Sequence, residues 1–205
     1  MEKEVIFSRQ KVEIETRDDG QKYISFYAIV FNDLSRNMGG WHERILPEAV
    51  ANADFSEWCV IKNHDRNQIL GASWSGTANY TIDQRGVKCT TMVGNSTIWK
   101  DTVDQIERGD LNFASFGFTP ANDGYNFTTE TRDGKQIEVG NVKSIRKIWD
   151  LSPVMVPAYP TTEGISMAKR EYDAYKQREQ PEQKEQQERE YNEYKALALQ
   201  LQINN

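Results

Sequence analysis

The chain has 205 residues, of which 27% are charged and 38% hydrophobic, and its formal net charge is -6. That length accommodates one domain of about 150–170 residues with an extension, and the acidic balance argues against a general nucleic-acid binder, which needs a basic patch to neutralise phosphates. No apolar run approaches the ~20 residues of a membrane-spanning helix, and the two cysteines, Cys59 and Cys89, lack the CxxC spacing of a zinc knuckle or a disulfide framework.

The N-terminal stretch MEKEVIFSRQKVEIE is charged from its second residue and lacks the apolar centre of a secretory signal. The chain is therefore expected to act inside the cell that makes it. VIFSRQKVEIETR alternates weakly, as a strand does, and DDG follows as a turn. KYISFYAIVFN, rich in β-branched and aromatic residues, predicts a second strand. NMGG predicts a turn or loop, and LPEAVANADFSEW a short helix with Pro47 near its first turn. WCVIKNHD predicts a strand ending at a polar tip. ASWSGTANYTID and RGVKCTTMVG predict two antiparallel strands around the turn DQRG.

STIWKDTVDQIERG carries the clearest helical pattern. Trp99, Val103 and Ile106 fall on one face, Ser96 or Thr97 can cap the start, and Gly109 is a natural stop. LNFASFGF then predicts a strand. Alternation puts Ala114, Phe116 and Phe118 on one face, suited to a core, and Phe113, Ser115 and Gly117 on the other. Residues 120–135 are polar and predict a loop or a mobile hairpin. KSIRKIWDLSPVMVPAYP predicts a last strand running into a proline-marked exit. After about Met167 the composition shifts to Glu, Gln, Lys and Arg, with Pro181 interrupting and with Tyr172–Tyr175 and Tyr191–Tyr194 at i, i+3 spacing. The expected organisation is one domain over 1–167 and a charged helical or disordered tail over 168–205.

Three polar residues in apolar settings can be assembled into one chemistry. His64 ends a strand, Ser115 projects from another, and Asp150 lies between Trp149 and Leu151, where a carboxylate needs a partner. They supply a base, a nucleophile and an orienting carboxylate, the roles of a serine hydrolase. Any protein offers such residues, so the alternative is three unrelated side chains. Cys59 is five residues from His64, which on a regular strand points the two to opposite faces, and it reads as a small core residue. His42 reads as an exposed loop histidine and Asp65 as a turn or cap residue.

Four ordered segments resemble the caudoviral prohead proteases, the capsid-maturation serine proteases of tailed phages. FYAIVFN followed by ERILPEAV resembles that family's "GxAxVF" strand and "PGAF" segment. KNHDRNQILGAS resembles "xxHDxxxPIGxx", IERGDLNFASFGF resembles "LxxGxxxGxSFGF", and IWDLSPVMVPAYP resembles "LxEVSLVxxPAxP". The likeness runs from about residue 5 to 168. Glu48 replaces a frequent glycine, Ile69 a frequent proline, and Asp150 a frequent glutamate.

The resemblance implies His64 as base, Ser115 as nucleophile and Asp150 as third member. It implies an α+β, β-rich fold: an antiparallel β-barrel-like core flanked by a few helices, like the herpesvirus assemblins. The assemblins' second catalytic histidine has no counterpart here, since His42 and His64 are the only histidines. The implied activity is cleavage of the scaffold segment of the major capsid protein, and of the protease itself, inside the immature capsid in the host bacterial cytoplasm. No metal or organic cofactor, nucleic acid or membrane is implied. Self-association is, because the assemblins are dimers. The competing expectations are a non-enzymatic capsid-assembly scaffold and a small β-barrel binding module.

Overall fold

The computed structural model describes residues 12–155, apart from 19, and residues 172–177. By its contacts the chain divides into two units, 1–165 and 166–205. In the second, residues 172–177 are helical, and the rings of Tyr172 and Tyr175 lie 6.4 Å apart. The boundary expected near Met167, Pro181 and the Tyr191–Tyr194 pair lie outside the described residues.

The first unit begins with β1 (Glu13–Thr16), β2 (Lys22–Val30), β3 (Trp41–Ile45), β4 (Cys59–Ile61) and β5 (Ile69–Ala72). β6 (Ala78–Ile82) and β7 (Gly86–Met92) lead into the helix α1 (Thr97–Arg108). β8 (Phe113–Pro120), β9 (Tyr125–Arg132), β10 (Lys135–Val142) and β11 (Ile145–Val154) follow. These strands form three sheets, ordered β1-β2-β7-β6, β3-β10-β9 and β5-β4-β11-β8.

The β-rich class is as expected; the barrel is not, because none of the three sheets closes. β8 packs near β2, but β2 is already paired along both edges, to β1 and β7. β1 covers only Lys22–Ser25 of its edge, and β8 approaches β2 without forming a ladder to it, so no ring closes. Nor is the pairing uniformly antiparallel, since β3 runs parallel to β10 and β4 parallel to β11.

α1 forms where the pattern placed it. Ser96 accepts from the Trp99 N–H, and Gly109 adopts a φ of 83°, the left-handed conformation that ends helices at little cost to glycine. Its inward face is Trp99, Thr102 and Ile106, so Thr102 takes the buried place expected for Val103, its hydroxyl bonded to the Ile98 carbonyl.

Two expectations fail for long-range reasons. The helix expected over residues 46–58 is only a 3-10 turn, Pro47–Val50. The Asp54 backbone instead bonds to β11, donating to Arg146 O and accepting from the Ile148 N–H. The segment after NMGG is a strand, β3, fixed by its pairing to β10 far along the chain. His42 lies there, buried, with Nδ1 2.9 Å from the Ser35 carbonyl, and is not the exposed loop residue its neighbours suggested. The polar excursion after Pro120 is a paired hairpin, β9–β10, whose second strand buries Val139 and Val142.

Candidate active site

β11 is the central strand on which the site is built. On one side it pairs with β8, placing Ser152 opposite Ser115 and Asp150 opposite Gly117. Residues paired across an antiparallel ladder point to the same face. Ser115, Gly117, Asp150 and Ser152 therefore share one face. The register slips between Ile148 and Asp150, leaving Trp149 without a partner on β8. This bulge breaks the alternation of the strand at Trp149. Trp149 is 45% exposed, with its indole N–H donating to Thr119 Oγ1 at 2.8 Å. Bulges re-aim side chains in this way and concentrate beside active sites.

The Ser115 face is also more enclosed than the alternation suggested. Ser115 is 9% exposed and Thr119 is buried, whereas Phe116 and Phe118 are half-buried and stack on one another. The expected core face of β8 is thus the more accessible one. Gly117 lies opposite Asp150 in this ladder. A Cβ there would collide with Asp150 Oδ2, so the missing side chain makes room for the carboxylate rather than beside the serine hydroxyl.

His64 arrives from the other side of β11. β4 ends at Ile61, and a tight turn, Lys62–His64, follows. Asn63 and His64 both have positive φ, 52° and 58°. Asparagine adopts this region more readily than most residues, and the strain at a bulkier residue persists only where surrounding contacts enforce it. One such contact is made by the Asn63 side-chain oxygen, which accepts from the Met155 N–H at 2.9 Å and ties the turn to the end of β11. Asp65 closes the turn as expected, accepting from the Asn67 N–H and the Gln68 side chain. Those bonds hold its carboxyl below the usual range.

His64 Nδ1 lies 2.7 Å from Asp150 Oδ1, with side-chain exposures of 10% and 7%. The opposite ring nitrogen, Nε2, is buried without a hydrogen-bond partner among the described residues. Ser152 Oγ donates to the same Asp150 Oδ1 at 2.5 Å. The structure thus brings His64 and Asp150 into direct contact and puts Ser115 on the same sheet face. It shows no hydrogen bond between the Ser115 hydroxyl and His64.

Sequence reasoning missed Ser152 and Asn63. Ser152 is two residues from Asp150, so strand periodicity alone puts both on one face. Asn63 precedes the histidine, and asparagine before a polar tip is a turn signal.

Cys59 does not compete for the histidine. The chain turns between them, so strand alternation is not the reason. Its Sγ lies 3.8 Å from the Trp149 carbonyl oxygen, and burial, followed by the nearby Asp150 charge, pushes its thiol up to about 11. The reactive thiolate is therefore scarce at neutral pH. Alkylation of Cys59 should be slow at pH 7 and accelerate only as the pH approaches 11. Cys59→Ala should keep wild-type activity; rapid labelling at pH 7 with loss of activity would restore the thiol as a nucleophile.

Among the described residues no His, Cys, Asp and Glu cluster has the make-up of a metal site, and no helix is long and apolar enough to cross a membrane. In comparisons with known proteins, a family model described as caudovirus prohead serine protease matches residues 10–178. No curated protein and no solved structure matches the chain.

Proposed function

The chain belongs to the caudovirus prohead serine protease family, and from that premise we propose that it is an endopeptidase working through Ser115, His64 and Asp150. The observation that carries this reading is the buried contact between His64 Nδ1 and Asp150 Oδ1 at 2.7 Å. An ionised carboxylate only accepts, so the Nδ1 proton points at Asp150 and Nε2 carries the lone pair. That is the tautomer a general base needs.

Ser115 Oγ turns about χ1 onto Nε2 as the substrate enters, since catalytic hydrogen bonds often tighten only in the substrate complex. His64 takes the hydroxyl proton while Oγ attacks the peptide carbonyl, and Asp150 stabilises the imidazolium that forms. The proton then passes to the leaving amine, leaving an acyl-enzyme on Ser115. Water enters by the reverse sequence, His64 accepting its proton, and releases the acid product and the serine.

The family's setting is the prohead, so the substrate is the capsid assembly: the scaffold segment of the major capsid protein, cut in the host cytoplasm within the immature shell. The polar segment after Met167 is a second substrate, removed by the enzyme itself. A scaffold without activity would have no use for a buried carboxylate committed to an imidazole. A serine-directed phosphonate should add one adduct mass to wild-type protein, on the Ser115 peptide. Wild-type chain expressed alone should also lose part of residues 168–205, and Ser115→Ala should show neither change. An unlabelled Ser115 peptide in a chain that still processes capsid protein, or identical tail cutting in both proteins, would refute the respective claim.

A further inference from the structure

We propose that Ser152 is a positioning residue for this reaction, acting through Asp150. The proposal rests on the triad reading above and adds to it a side chain that never touches substrate. Ser152 is 0% exposed, and a buried hydroxyl is costly unless it is hydrogen-bonded. Its partner is Asp150 Oδ1, at 2.5 Å. Because the carboxylate can only accept, the hydroxyl must donate.

Asp150 Oδ1 therefore receives two donors, Ser152 Oγ and His64 Nδ1, while Oδ2 occupies the hollow over Gly117. The carboxylate cannot rotate about its terminal torsion without breaking the serine bond, and a Cβ at Gly117 would push it out of place. The imidazole, whose Nδ1 bonds to Oδ1, inherits that orientation. The arrangement also disposes of a competitor. Ser152 sits directly across from Ser115, and its only proton is committed to Asp150 rather than to the Ser115 hydroxyl.

Ser152 has an electrostatic effect as well as a geometric one. Its donated bond withdraws negative charge from Oδ1, the oxygen that faces the imidazole. Removing the hydroxyl concentrates that charge and favours imidazolium. Few other ionisable groups surround the pair. β4 brings the Cys59 thiol, and Arg66 lies near that thiol. The His64 turn carries Lys62 and Asp65. β8, FASFGFTP, brings none, and β11 carries, besides Asp150, Arg146 and Lys147, the latter paired with Asp54 and Glu57.

The first test needs no turnover. In full-length Ser115→Ala protein, which cannot cut itself, the two imidazoles are titrated by NMR, with His42→Gln assigning the signals. Adding Ser152→Ala should move the His64 signals' midpoint upward and leave that of His42 unmoved. An unmoved His64 midpoint would overturn the proposal. With Ser115 intact, Ser152→Ala should lower kcat about 10-fold at unchanged KM, and wild-type kcat would likewise overturn it.

Ser152→Thr and Ser152→Val have the same shape, one with a hydroxyl and one without. If alanine at this position fails to fold, that pair makes the same comparison: threonine should match the wild-type midpoint and valine should shift it, and equal midpoints would refute the role. Cleavage by Ser115→Ala at the wild-type rate would overturn the triad reading and this inference together. An inactive Ser115→Ala beside a Ser152→Ala indistinguishable from wild type would overturn this inference alone.

Discussion

Replacing Ser115 by alanine should reduce processing of capsid protein by on the order of 10⁶ in kcat, the scale of a lost nucleophile in an enzyme whose triad acts as a unit. The fold should survive. The change removes one oxygen that has no hydrogen-bond partner among the described residues, in a strand held by its ladder to β11. Nothing in the core loses a contact, and stability should stay within about 1 kcal/mol of wild type. The measurement is a time course of capsid-protein cleavage by purified protein, beside a thermal melt of the same sample. A folded variant that processes at the wild-type rate would remove Ser115 from the mechanism, and with it the explanation for a buried imidazole held by Asp150.

Asp150→Asn should fold and lose about 10⁴ in kcat, the loss the chymotrypsin-type triad shows for this exchange. The reason lies in the tautomer. Asp150 accepts at Oδ1 from both His64 and Ser152. An asparagine carries no charge to stabilise the imidazolium, and with its amide nitrogen at the Oδ1 position it donates to His64 Nδ1 and to Ser152 Oγ. That places the imidazole proton on Nε2, where the base needs a lone pair. KM should change little, since the carboxylate does not touch substrate. Near-normal kcat in a folded Asp150→Asn protein would leave a Ser115–His64 dyad, with Asp150 serving only to satisfy Ser152 and the turn.

The bond between Asp150 and His64 was predictable as a need, because a carboxylate in an apolar strand requires a partner. How a short aspartate reaches the imidazole was not. Three contacts arrange it, and each joins residues far apart in the chain. A bulge at Trp149 re-aims the strand, and Gly117 on β8 yields space to the carboxylate. Asn63 anchors the histidine turn to Met155. Nothing within a few residues of Asp150 announces any of them. The same holds for His42, whose neighbours suggest a loop and whose burial follows from pairing with β10.

The sequence by itself determined the inventory and the local elements. It has two histidines, one serine ahead of a glycine in an aromatic strand, and one carboxylate in the last apolar run. α1 was legible end to end because cap, face and stop all lie within one short window. Four ordered motifs pointed to a prohead protease, and the family match agrees. The tertiary structure decided what those signals do not encode: that the sheets stay separate, that β3 forms, that the Ser115 face of β8 is the enclosed one, and that Ser152 bonds to Asp150. The physical reason is common to all four. Helix signals are local, but strand register, bulges and edge pairing depend on which distant backbone groups remain free, and that is settled only when the whole chain packs.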